Sequence, residues 1–108
     1  MDQINEMIQK KARKALVAVS NLTTVVRAYL FGSQVDGTAD QWSDIDLAVF
    51  VDGAESWDIH KRARLFARVQ QEAGDDIEVH FISAKTLQEN DKAGFAAWVL
   101  THGVELPL

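Results

Sequence analysis

Apolar residues recur at three- and four-residue intervals over Asp2–Ser20, where Ile4, Ile8, Ala12, Ala15, Leu16 and Val19 make a helical stripe opposite a Lys/Arg-bearing face. This first helix is expected to end near Asn21. Val25–Phe31 is rich in branched and aromatic residues and stops at Gly32, the pattern of a buried strand running into a turn. Gln34–Trp42 holds Gly37 and two Asp residues, too irregular for a strand, and a short helix is expected there. Asp44–Val51 reads as a second strand, with Ile45, Leu47, Val49 and Val51 on one face and Asp44, Asp46, Ala48 and Phe50 on the other. Ser56 is the expected cap of a second long helix that turns Ile59, Ala63, Phe66, Ala67 and Val69 inward and His60, Lys61, Arg64 and Arg68 outward before closing at Gly74.

Asp76–Ile82 alternates again, placing Ile77, Val79 and Phe81 on one side and Asp76, Glu78 and His80 on the other. Ser83 can cap a short helix, and Asn90 or Asp91 another that runs through Phe95, Ala96, Trp98, Val99 and Leu100 to Gly103. The last five residues are expected to be a tail or a short edge strand. Helix, strand, short helix, strand, helix, strand and helices in that order predict an α/β (α+β) domain, a small mixed sheet with helices packed mainly on one face.

With 108 residues the chain suits a single domain with one core. Sixteen acids against eleven bases leave a formal charge of −5, which opposes sequence-independent binding to a polyphosphate backbone, so nucleic acid is not the expected partner. The absence of cysteine excludes a disulfide framework and a thiolate zinc site. Apolar runs are far shorter than the roughly 20 residues of a membrane-spanning helix, and the charged start of the chain is unlike a secretion signal. A soluble, cytoplasmic protein is expected.

The chemistry concentrates between Gly32 and Asp46. Two acids one residue apart project from the same side of an extended chain, and neighbouring carboxylates grip divalent cations. Gly32 allows backbone to approach a triphosphate closely, and Ser33 with nearby N–H groups at a helix start can donate to it. Gly37 would allow the return turn. Glu78 on the third strand is the candidate third acid, able to complete a two-cation site and to accept the proton of an attacking hydroxyl. His80, on the same face, is a secondary candidate to touch a phosphate or orient Glu78; Trp42 could stack on a base or pack in its loop; Phe95 and Trp98 suit packing or homodimer contacts.

Phe31-Gly32-Ser33, then Gly37, then Ser43-Asp44-Ile45-Asp46-Leu47 resembles the signature of the polymerase-beta-like nucleotidyltransferases, in particular the minimal nucleotidyltransferases, over essentially the whole chain. The resemblance implies Mg²⁺ held by Asp44, Asp46 and Glu78, a nucleoside triphosphate such as ATP met by Gly32, Ser33, Gly37 and Ser43, and transfer of a nucleoside monophosphate to a hydroxyl. It also implies a helical HEPN-type toxin as partner, since many minimal members are antitoxins and some adenylylate a tyrosine of the toxin. Relatives often carry Arg just after the Gly-Ser pair, where this chain has Gln34, Val35 and Asp36. A partner-binding module with a weakened or inactive site on the same fold is the alternative.

Overall fold

A computed structural model describes residues 5–40, 42–89 and 92–108. Its principal elements are α1 (Glu6–Leu22), β1 (Val25–Phe31), α2 (Ser33–Asp36), β2 (Ile45–Val51), α3 (Ile59–Ala73), β3 (Ile77–Ser83), α4 (Phe95–His102) and β4 (Val104–Glu105), with 3₁₀ turns over Ala54–Ser56 and Ala84–Gln88. The four strands form one mixed sheet in the order β3-β2-β1-β4. β1 runs antiparallel to both β2 and β4, whereas β2 and β3 are parallel and joined through α3.

The alternation along each strand builds two unequal cores. Leu30, Ile45, Leu47, Val49, Val51, Ile77, Val79 and Phe81 face α1 and α3, where Ala12, Ala15, Leu16, Val19, Val69 and Ala73 close the main core. Small alanines on α1 let the helix sit close against the sheet, and the dense apolar contact is the main favourable term in folding. On the opposite face Tyr29, Phe31, Ala48 and Phe50 pack under Val99 of α4. The two long helices therefore share one face, as expected, while α4 covers part of the other. β4 takes the short edge-strand option, pairing Val104 and Glu105 with Leu30 and Tyr29.

Several local expectations shift. Asn5 caps α1 by accepting from the Met7 N–H at 2.7 Å; the expected start at Asp2, with Ile4, lies outside the described residues. Asp58, not Ser56, caps α3, accepting from the Lys61 N–H at 2.8 Å, because Ser56 is spent on the Gly53 carbonyl inside the preceding 3₁₀ turn. α3 is also rotated from the expected stripe. Ile59, Ala63 and Ala67 are exposed, and Arg62, Leu65, Phe66, Val69 and Ala73 face the sheet. The reason is Arg62, whose guanidinium donates to the Phe81 carbonyl at 2.7 Å and the Ala54 carbonyl at 2.9 Å. Gln70 likewise donates to the Ile77 carbonyl at 3.0 Å. The Phe81 and Ile77 carbonyls lie on the outer edge of β3, so α3 satisfies backbone acceptors that no strand among the described residues pairs.

The helix expected over Gln34–Trp42 is a single turn, Ser33–Asp36. Gly37 at φ +86° ends it in a left-handed conformation, and Asp36 then accepts from the Thr38 N–H and hydroxyl, a local bond that competes with helix. Ser83 caps its 3₁₀ turn as expected, accepting from the Lys85 N–H. α4 begins after Gly94; the expected caps Asn90 and Asp91 lie outside the described residues.

Candidate active site

Parallel register between β2 and β3 sets Asp46 beside Glu78 and Ala48 beside His80, all on the face that α4 only partly covers. One ligand atom each from Asp46, Glu78 and His80 lie within 4.8 Å of one another. His80 Nε2 stands 3.5 Å from Asp46 Oδ1 and 3.8 Å from Glu78 Oε1. A cluster of two carboxylates and an imidazole nitrogen is a donor set suited to a divalent cation, and its members are close enough to share one. Asp44, the residue before β2, is exposed and outside that cluster, although its charge still acts on Asp46. Burial pushes the Asp46 carboxyl above its ordinary range, a direction that His80 opposes and that the charges of Glu78 and Asp44 reinforce.

The glycine turn is built against this carboxylate. Gly32 adopts φ +81° and ψ −153°, a conformation that residues with side chains essentially do not take. A Cβ placed on Gly32 would stand 2.5 Å from Asp46 Oδ2. The N–H groups of Val35 and Asp36 both return to the Gly32 carbonyl at 3.0 Å, and the Ala39 N–H bonds the Ser33 carbonyl at 3.1 Å, which holds the turn above the acids. The first turn of a helix leaves its leading N–H groups without intrahelical acceptors, and here, with Val35 and Asp36 bonded to Gly32, the leading pair belongs to Ser33 and Gln34. Gly37 has open space around it.

The loop between turn and strand is tied down by its own side chains. Gln34 donates to the Ser43 carbonyl at 3.4 Å and lies 3.5 Å from that of Asp44. Ser43 Oγ accepts from the Asp40 N–H at 2.9 Å and donates to Asp40 Oδ1 at 3.2 Å, so this hydroxyl braces the loop. The Thr38 bonds hold the Asp36 carboxyl below its ordinary range, which keeps that charge turned into its own turn. Trp42 is 82% exposed, so of its two expected roles loop packing is not the one the fold uses. Phe95 meets the rings of Phe31 and His80 at 5.5 and 5.7 Å, and Trp98 meets Phe31 at 5.9 Å and stacks on His102 at 4.7 Å. The place of His80 inside the cluster was open in the sequence, where only its strand face was legible.

A family model described as Polymerase beta, Nucleotidyltransferase matches residues 6–106. The chain belongs to that family. The nucleotidyltransferase domain accordingly spans nearly all of the sequence, from α1 to β4, with the acidic cluster and the glycine turn at its centre. It is similar to a solved structure described as "Crystal structure of the toxin-antitoxin with AMP-PNP", with 26% identity and a TM-score of 0.60 over 87% of this chain and 70% of that chain. No curated protein matches it. No helix among the described residues is long and apolar enough to cross a membrane.

Proposed function

We propose that this nucleotidyltransferase moves a nucleoside monophosphate, AMP from ATP, to a hydroxyl on a partner protein, with Mg²⁺ as the expected cation, and that it is the antitoxin of a toxin–antitoxin pair whose other half is a helical HEPN-type protein. The observation that carries this reading is the convergence of Asp46 and Glu78 on neighbouring strands, with Asp46 directly against the Gly32 turn. Asp46 and Glu78 would hold the cation, with Asp44 at the mouth of the site as a further ligand. A bound divalent cation supplies charge stabilisation to the attacking and leaving oxygens of the transfer. The glycine turn and Ser33 orient the phosphates through N–H and hydroxyl donors. Glu78 accepts the proton of the acceptor hydroxyl as its oxygen bonds the α-phosphorus, and pyrophosphate leaves.

A groove of about 440 Å³ borders His80 and is lined by Arg62, Phe66, Phe81 and Phe95. Its apolar walls suit side chains of a protein acceptor better than a nucleic-acid backbone, in line with the net negative charge. The similar structure, a toxin–antitoxin with AMP-PNP, supports both the adenine nucleotide and the paired role.

The test is incubation with ATP labelled at the α-phosphate and the protein encoded by the neighbouring gene, with Mg²⁺ and Co²⁺ supplied in separate reactions. Label passes to that protein with the wild type and not with Asp46→Asn. Absence of transfer from the wild type overturns the catalytic reading. A second reading, an inert binding module, is favoured by one observation: Gln34 and Asp36, the polar residues after the Gly-Ser pair, are engaged within the loop and neither is a cation. Retained partner binding without any affinity for Mg-ATP would select it.

A further inference from the structure

His80 is the cluster member that the family signature does not require. Its neighbour across the parallel pair is Ala48, small enough to leave room for an imidazole. The ring is held edge-on by Phe31, at 5.1 Å and 62°, and flanked by Phe95 at 5.7 Å. That packing aims Nε2 at the acids, where it is shut off from solvent and makes no hydrogen bond. Its separations of 3.5 Å from Asp46 Oδ1 and 3.8 Å from Glu78 Oε1 exceed the roughly 2.7–2.9 Å of a charge-assisted hydrogen bond. They are close to the spacing of ligands that share one cation, because bonds of roughly 2.0–2.2 Å set neighbouring ligand atoms roughly 3–3.6 Å apart. A buried ring nitrogen that meets its acidic neighbours only at these long separations has room for a closer partner, and a cation between the three groups would satisfy all of them at once.

We propose that His80 Nε2 is the third ligand of a cation position formed with Asp46 and Glu78, and that this nitrogen makes the position select a first-row transition cation such as Co²⁺ or Zn²⁺ over Mg²⁺. Mg²⁺ favours oxygen donors and keeps its waters, whereas imidazole suits the later divalent metals. The aromatic walls contributed by Phe31 and Phe95 exclude water from one side of the ring and hold it in the ligating orientation, the role that supporting residues play around metal sites. The inference rests on the cation-site reading given under Proposed function and departs from it in the cation: at this position a transition metal takes the place of the Mg²⁺ that the family resemblance implies.

The experiment titrates Co²⁺ and Mg²⁺ separately into the full chain by calorimetry, with Co²⁺ followed in parallel by visible absorption, for the wild type, His80→Gln and Asp46→Asn. The wild type binds Co²⁺ about tenfold or more tightly than Mg²⁺. His80→Gln loses about tenfold or more of the Co²⁺ affinity and less than about twofold of the Mg²⁺ affinity, a size ordinary for damage to a metal's ligand environment. Nitrogen-15 NMR of the wild-type histidines gives a readout independent of any variant's folding: Zn²⁺ shifts His80 Nε2 and leaves His60 and His102 in place. Unchanged Co²⁺ affinity in His80→Gln, or an unshifted His80 Nε2 at saturating Zn²⁺, overturns the inference. If Asp46→Asn loses Co²⁺ while His80→Gln retains it, the cation site stands and only the histidine's part in it falls. If Asp46→Asn binds as the wild type does, or the wild type binds neither cation, the cation-site reading falls as well.

Discussion

Asp46 Oδ2 occupies the space that a side chain on Gly32 would need, 2.5 Å from the position of its Cβ. The contact joins the two halves of the family signature physically: the turn can lie over the carboxylate only because it carries no side chain. Gly32→Ala is therefore expected to fail twice. The backbone penalty at φ +81°, ψ −153° is about 1–3 kcal/mol, and Asp46 must move to admit the methyl, so transfer activity falls with stability. Gly37→Ala pays only for its left-handed φ of +86°, about 1–2 kcal/mol, since nothing lies within 4 Å of the new Cβ. Urea unfolding and labelled-ATP transfer on both variants check the contrast; equal loss of activity per kcal/mol would refute it.

Asp46→Asn should raise stability in metal-free buffer while abolishing transfer. A carboxyl whose folded pKa is raised stabilises the fold below its unfolded value, about 3.9, and that contribution is lost as pH rises through the folded value. At neutral pH in metal-free buffer the half-buried, ionised Asp46 thus works against folding, and the amide removes that charge. A melting-temperature rise of roughly 2–5 °C is expected, the effect of a stabilisation below about 1 kcal/mol in a domain of this size. Calorimetric scans with chelator present measure it, and a lower melting temperature contradicts the account.

Glu55 reports on the acid limb of stability. Its carboxylate accepts from Ser83 Oγ at 2.6 Å and pairs with Lys85 at 3.3 Å, and the serine bond first of all holds its carboxyl below the ordinary range. A depressed folded pKa adds stability above the unfolded value, about 4.3, which fades as pH falls through the folded one. Glu55→Gln should shallow the decline of stability below about pH 4.3 and leave the alkaline side unchanged, as pH-stepped denaturation would reveal.

Arg62→Ala is expected to cost about 1.5–3 kcal/mol, because it strips two carbonyls of a charged donor and bares the edge of β3. Arg68→Ala, which breaks an exposed pair with Glu72 at 3.4 Å one helical turn away, should cost no more than about 0.5 kcal/mol. A loss for Arg62 no greater than that for Arg68 in urea titrations would contradict the sheet-facing anchor assigned to Arg62.

Phe50→Ala tests the second core. The ring is fully buried against Tyr29, at 5.9 Å in an edge arrangement, under the α4 side of the sheet. A loss of about 3–5 kcal/mol is expected from the transfer and cavity terms together. Near-wild-type stability would mean that α4 collapses freely onto the sheet.

How far the residues alone reach is clear at particular positions. Period-two alternation assigned Ile45, Leu47 and Val49 to the main core and Asp46 to the other face, because side chains on a strand can only take turns. The break at Gly32 and the return at Gly37 were legible for the same local reason: both hold φ angles that favour glycine. The orientation of α3 was not, since a charged Arg62 at a sheet-facing position makes sense only once the carbonyls of Ala54 and Phe81 are in view.

What the sequence determined by itself is therefore the local grammar: where strands and helices run, which side chains share a face, and the glycine–acid signature. Tertiary structure alone decided that β3 lies parallel beside β2 in the register that pairs Asp46 with Glu78, and that Phe31 and Phe95 press the His80 imidazole toward both acids. Propensity and periodicity act over a few residues, whereas strand partners and ring positions are settled by burial between segments far apart in the chain, which no local pattern encodes.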